Sequence, residues 1–277
     1  MPTLPSLRQM LENGVHFGHV SSRWNPNMKP YIYGERDKIH VINLEQTRAQ
    51  LERALTYLAT VIDRGGTVLF VGTKRQAHDL VKETAMAVNM PFIVERWFGG
   101  TLTNFSVLRK NIKVLEDMEN ADLTENTSMT KKERLKSDEK KRKLLKMLEG
   151  VRSMTKVPDA LFVVDAGKES IAIAEARALK IPVVAIVDTN ANPRSIDYPI
   201  PGNDDAAKSL TLLLGVIKDS LKGFQGQVIE KQKVEAMAVE AAKAIVQEPA
   251  KTEASKTVVA KKPRPKAVKT DEALVTA

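Results

Sequence analysis

Three short segments of this chain are apolar but for one threonine at the start of the first: residues 67–71 (TVLFV), 160–164 (ALFVV) and 183–187 (VVAIV). A strand with one wet face alternates apolar and polar side chains. A strand with no polar position needs cover on both faces, which is the condition of a parallel sheet. Helical patterns separate these segments. Residues 45–64 carry Leu51, Leu55, Leu58 and Ile62 on one face and end at Gly65-Gly66, and further helices are read at 76–89, 169–180 and 204–221. Residues 39–44 and 91–94 read as two more strands. Strand and helix alternate through short loops, so right-handed crossovers predict a three-layer α/β/α domain. Five strands give a flavodoxin-like parallel sheet as the expected order.

Around this core the pattern is less regular. A short helix over 6–13 has Ser6 as cap and Gly14 as stop. The prolines, glycines and asparagines of residues 15–38 exclude a long regular element there. Between the third and fourth strands, Phe105, Leu108, Ile112, Leu115 and Met118 follow helical spacing. A polar break over 119–130 precedes a second helical run with Leu135, Leu144, Leu145 and Leu148. A narrow apolar seam on two helices predicts an inserted antiparallel coiled-coil hairpin over about 104–155. Residues 131–143 hold eight cations against three acids. Such a run is either a solvated helix face or an arm that meets phosphates or another protein. The reading thus divides the chain into a body, 1–225, and a terminal part, 226–277. The latter is expected to be a helix followed by a disordered basic tail.

The net charge of the 277 residues is +9. Ten cations and seven acids lie after residue 225, so +6 belongs to the body. That balance favours a polyanionic partner. There is no cysteine, which excludes disulfides, thiol catalysis and cysteine-ligated zinc. No apolar run approaches the ~20 residues that span a bilayer, and the N-terminus lacks the basic start and apolar core of a signal peptide. A cytoplasmic protein without membrane contact is expected.

Three places carry candidate chemistry. In 95–105 (ERWFGGTLTNF), Arg96 and Trp97 stand beside a Gly-Gly pair at the root of the lysine-rich arm, with Asn104 following. In the N-terminal loop, Arg23, Trp24, Asn25 and Lys29 combine cations, amide donors and an aromatic ring. Cations suit phosphates, and an indole stacks on an unpaired base; Trp24 has the alternative of anchoring its loop. Residues 70–77 (FVGTKRQA) place Lys74 and Arg75 at a strand-to-helix turn, either a plain turn or a phosphate contact. Neither phosphate-loop pattern is complete there. No nucleophile–base–acid set is visible. A divalent cation has a candidate site in Asp165, Asp188, Asp204 and Asp205 at strand ends, with His16 and His19 approaching from the N-terminal loop. Helix capping is the competing role for Asp204 and Asp205. His40 and His78 show no pairing and read as structural.

The segments GVHFGHVSSRWNPNMKPYIYGERDKIHVINLEQT, FVGTKRQA, ERWFGGTLTNF, PDALFVVD and IPVVAIVDTNANPRSIDYPIPGNDDA, in that order, resemble the bacterial ribosomal protein S-two family of the small (30S) subunit. The likeness runs from about Leu7 to Leu221. Thr155-Lys156 stands where the family often has Gly-Gly, and Ala191 where a cysteine is common. The resemblance implies a flavodoxin-like domain with a protruding coiled-coil hairpin. It implies a non-enzymatic, structural role on the solvent side of the subunit, near the junction of head and body. It also implies contact with 16S rRNA and neighbouring small-subunit proteins, and help in docking ribosomal protein S-one. On this chain, the residues expected to touch RNA are Arg23, Trp24, Asn25, Lys29, Lys74, Arg75, Arg96, Trp97, Asn104, Lys131, Lys132, Arg134, Lys140 and Lys141. Two other readings stand beside this one. One is a nucleotide- or phosphosugar-binding enzyme on the same fold, with a small-molecule substrate. The other is a protein–protein adaptor that uses the arm and tail.

Overall fold

The computed structural model describes residues 4–123 and 131–246. The chain opens with α1 (Leu7–Glu12), whose N-cap Ser6 exchanges hydrogen bonds with Gln9 in a capping box. Three short strands follow, β1 (Phe17–Val20), β2 (Ile32–Arg36) and β3 (Ile39–Ile42), and form a small antiparallel sheet with β3 in the centre. Asn43 then caps α2 (Leu44–Asp63) by accepting hydrogen bonds from the Glu45 and Gln46 N–H groups. Strand β4 (Val68–Val71), α3 (His78–Ala87) and β5 (Phe92–Ile93) begin the second sheet. Two helices, α4 (Phe105–Leu123) and α5 (Lys131–Leu148), interrupt it. Strand β6 (Ala160–Val164), α6 (Ser170–Ala178), β7 (Val183–Val187), β8 (Tyr198–Pro201) and α7 (Ala207–Val246) complete the described chain.

The second sheet has five parallel strands in the order β5-β4-β6-β7-β8. Counted within the sheet this is 2-1-3-4-5, the flavodoxin-like order expected from the residues. Its membership differs from expectation at one strand. Residues 39–42 belong to the small antiparallel sheet, and β8 takes the fifth place. Pro199 and Pro201 disguise β8 as a loop in the sequence. A proline cannot donate to a ladder, and β8 tolerates two because it is an edge strand.

Alternate residues of each strand enter opposite cores. Val68, Phe70, Phe162, Val164, Val184, Ile186 and Ile200 meet Leu51, Leu55 and Leu58 of α2, Val81 and Ala85 of α3, and Leu210, Leu213 and Ile217 of α7. On the other face, Leu69, Val71, Leu161, Val163, Val183, Ala185 and Val187 meet Ala172, Ile173 and Ala176 of α6 and Leu108, Ile112 and Leu115 of α4. These strand side chains are fully buried, which explains the absence of polar positions in them. The Tyr57 and Tyr198 rings stack at 4.3 Å and join α2 to β8.

Leu148 and Val151, at the end of α5, share the second core with the base of α4, and Arg152 pairs with Glu119 across the two helices. The roots of both helices are thereby fixed to the sheet. Gly150 sits where the chain leaves α5 and crosses β5. A Cβ there would lie 2.1 Å from the Phe92 carbonyl oxygen, so only glycine permits this approach. Among the described residues, those up to 231 form one compact unit and 232–246 belong to another. Of the second, 232–246 are helical. The tail expected at 248–277 lies outside the described residues. Among the described residues, no helix is long and apolar enough to cross a membrane.

The Phe70 and Phe162 rings lie 5.1 Å apart on adjacent strands at the centre of the first core. Phe162→Ala is expected to cost about 3–5 kcal/mol. Chemical denaturation should show this as a lower midpoint with an unchanged slope.

Candidate nucleic-acid interface

The loops after the parallel strands leave the sheet at one edge, and the candidate residues gather around it. The loop after β5 is built on a single carboxylate. Glu175 of α6, 9% exposed, accepts hydrogen bonds from Trp97 Nε1 (3.0 Å), Gly100 N (2.8 Å), Leu102 N (2.9 Å), and both Thr103 N and Thr103 Oγ1 (3.1 Å each). Burial alone would raise the Glu175 pKa. The Trp97 hydrogen bond and the backbone donors more than offset that and hold it below the ordinary carboxylate value. Trp97 is therefore committed to the interior, which corrects its expected place among the RNA-stacking residues. Arg96 and Asn104, on either side of the knot, are exposed.

The N-terminal loop is held by backbone rather than by charge. Asn25 N donates to Thr189 O at 2.7 Å, and Asn27 Nδ2 donates to Asn192 Oδ1 at 3.1 Å. The Asn25 side chain accepts from Asn27 N. Trp24 is half-buried with its ring 5.2 Å from that of His40, so it anchors the loop and keeps part of its surface open. Arg23 and Lys29 are exposed. On α5, Lys132, Arg134 and Lys140 are exposed and Lys141 is half-buried, while Lys131 is described only as the first helical residue.

Between β4 and β6 the strand order reverses, and folds of this kind bind ligands in the crevice at that point. Here the crevice is filled from within. Lys74 Nζ lies 2.7 Å from Asp204 Oδ1, 2.6 Å from Asp205 Oδ1 and 3.4 Å from Asp165 Oδ2, and is only 13% exposed. Burial would lower its pKa, but the hydrogen bonds to Asp204 and Asp205 win and raise it. Thr73 N and Oγ1 both donate to the buried Glu169. Thr73 N and Oγ1 and the Lys74 ammonium, donors that a phosphate could use, already serve carboxylates. Lys74 thus leaves the expected RNA-contact set, while Arg75 beside it is exposed.

The acids are brought together as expected, with one histidine of the two. His19 Nδ1 lies 2.9 Å from Asp188 Oδ2, and His19 Nε2 lies 3.3 Å from Asp205 Oδ2. The hydrogen bond to Asp188 raises the His19 pKa against the opposing effect of burial. His16 stacks at 4.0 Å on Phe17 and stays outside the cluster. Asp204 and Asp205 do not cap the following helix. Asn203 Oδ1 accepts from Asp205 N and Ala206 N in the turn that leads into it. His78, expected to be unpaired, lies 2.9 Å from Asp79 Oδ1 and 3.4 Å from Glu95 Oε1.

Comparison with known proteins agrees with this geometry. The model of the family described as Ribosomal protein S2 matches residues 10–223. The chain belongs to the ribosomal protein S2 family. Among curated relatives named "Small ribosomal subunit protein uS2", that of Thermobifida fusca (strain YX) is 48% identical over 223 residues, covering 80% of this chain and 76% of the relative. That of Chelativorans sp. (strain BNC1) is 47% identical over 223 residues, covering 80% of this chain and 84% of the relative. The S2 family is structural and non-enzymatic, in keeping with a crevice in which Lys74 and Thr73 are paired with carboxylates.

Two residues of this S2-family chain escaped the sequence reading. Glu175 and Glu169 carry no motif. The signal for Glu175 was an acid on the buried stripe of an otherwise apolar helix, beside Ala172, Ile173 and Ala176. Glu175→Gln removes the charge from five hydrogen bonds. It is expected to cost about 1.5–3 kcal/mol and to expose 97–104 to limited proteolysis. Because the folded pKa is lowered, the contribution of Glu175 is complete above the unfolded value of ~4.3. It vanishes as pH falls through the folded value. Denaturation of both proteins across pH 3–7 should therefore show the gap closing at the acid end.

Proposed function

We propose that this chain is a non-catalytic, structural constituent of the small ribosomal subunit in the bacterial cytoplasm, seated against 16S rRNA and helping to dock ribosomal protein S-one. The observation that carries the reading is a separation of charge. Arg23, Lys29, Arg75, Arg96, Lys132, Arg134 and Lys140 are exposed, while the acids of the sheet edge are turned inward on Lys74 and His19. The outer surface thus offers cations that lie outside the ion pairs of the sheet edge, and a polyanion is the matching partner. Asn104 and the open part of Trp24 supply an amide and a ring for base edges or stacking. Lys131 and Lys141 extend the arm.

In this reading α4 and α5 form the coiled-coil hairpin expected from their seam, and residues 1–225 are the seated body. The part from 226 onward is accessory, and with the arm it is the surface offered to neighbouring proteins, S-one among them. No small-molecule substrate enters, and any divalent cation at the acidic edge serves structure rather than chemistry.

Three experiments test it. The full chain should co-sediment with small subunits at moderate salt; recovery only in the free soluble fraction would refute the assignment. Binding to 16S rRNA should weaken with salt, and Arg23→Ala or Arg96→Ala should each flatten that dependence by about one phosphate contact. Slopes identical to that of the unaltered chain would remove those two cations from the interface. Deletion of residues 226–277 is expected to leave incorporation into subunits intact while lowering retention of S-one, read by quantifying both proteins in the sedimented particle.

A further inference from the structure

The five-stranded sheet has a second end, where β4, β5 and β6 begin. A cavity of about 530 Å³ lies there, between the turn after α2, the residues that lead into β5, the loop 153–156 and α7. Its size falls in the range of ~300–1,000 Å³ that small-molecule sites occupy. None of the residues assigned above to RNA contact lines it. Three features of the lining converge on one ligand chemistry.

The first is an apolar floor with fixed walls. Met90, Pro91 and Met154 contribute to it, and Met154 is buried. Met90 Sδ accepts from Val68 N at 3.4 Å, and the Met154 carbonyl oxygen accepts from Arg109 Nη1 at 3.0 Å. Thioether sulfur makes favourable contacts with the edges of aromatic rings, so two methionines and a proline ring suit a flat heterocycle.

The second is a pair of amides. Asn89 takes the left-handed conformation, at φ +49°, in the turn that leaves α3. Its backbone N donates to Met86 O at 3.2 Å, and among the described residues no partner takes its side-chain amide. Gln225 of α7 donates from Nε2 to Val88 O at 2.6 Å, which leaves its Oε1 uncommitted. A carboxamide offers a donor and an acceptor side by side, the combination that matches N7 and N6 of adenine.

The third is a cation beside a hydroxyl. Thr155 and Lys156 are both exposed on the rim. Lys156 Nζ lies 3.2 Å from Asp159 Oδ2, an oxygen that also accepts from Thr67 N at 2.8 Å. The lysine side chain is 64% exposed and an ammonium carries three donors, so it can serve a phosphate as well. Thr155-Lys156 stands where the family often has Gly-Gly, so this end of the cavity belongs to this chain in particular.

From these we infer that the cavity binds an adenosine 5′-phosphate unit. The base lies against Met90, Pro91 and Met154, its edge is read by Asn89 and Gln225, and its phosphate meets Lys156 and Thr155. Two sources offer that unit, a free mononucleotide and an unpaired adenosine of an RNA strand. Only the second source rests on the reading of an RNA-seated protein given above.

The full chain is titrated with AMP and with UMP by calorimetry, and with labelled single-stranded oligo(A) and oligo(U) by fluorescence anisotropy at one salt concentration. Adenine is expected to be preferred about tenfold, the discrimination of one amide–adenine pair. Asn89→Gly keeps the left-handed turn and should erase that preference. The double change Thr155→Gly, Lys156→Gly should weaken the adenine ligand about tenfold, through loss of a charge-assisted contact, with the circular-dichroism spectrum unchanged. Arg96→Ala should weaken oligo(A) and oligo(U) alike, so a failure of the rim contacts and a failure of the cavity read differently. A preference for AMP over UMP assigns the site to a free nucleotide; a preference confined to the oligonucleotides assigns it to an RNA strand. Equal binding of adenine and uracil in both formats, or an adenine preference and affinity unchanged in the folded Asn89→Gly and double variants, would overturn the inference.

Discussion

Covering a parallel sheet on both faces leaves polar chemistry one main outlet, the edge where the strands end. In this chain the strands from 68 to 201 have scarcely a polar side chain, and two apolar layers close over them. Many of the groups that ionise near the sheet are pushed into the loops after the strands. Lys74, Asp165, Asp188, Asp204 and Glu169 lie there because the fold has few other places for them.

That edge divides the charges by depth. The acids turn inward onto Lys74 and His19, and burial with mutual repulsion from Asp165 and Asp188 pushes the Asp204 carboxyl up to about 7. The arginines and remaining lysines turn outward. A nucleotide-binding relative of this fold would present free backbone donors at its crevice. Here Thr73 and the Lys74 ammonium spend theirs on carboxylates. Exposed cations lie instead at Arg75, Arg96 and along α5.

A good part of this was legible in the residues. The apolar pentads announced buried parallel strands, and their order followed from handedness and loop length. Ser6, with glycine after residue 13, bounded the first helix through local hydrogen bonds. The acids at strand ends converged as expected because parallel strands share a direction. The failures are equally physical. Pro199 and Pro201 mask β8, which survives as an edge strand with little need of donors. Residues 39–42 have the composition of a core strand but pair with β1 and β2, since pairing partners are set by packing. Trp97 reads as a surface aromatic beside Arg96 and is buried by a carboxylate 78 positions away.

Local chemistry alone determined the layered fold, the capped start of the first helix and the basic balance, since periodicity, capping and composition act over a few residues. Tertiary structure alone decided which strand completed the sheet, that Lys74 meets Asp204 across 130 positions, and that Glu175 ties the 97–104 loop. Those pairings depend on how distant segments close in space, and burial gives them their strength only after the chain has folded.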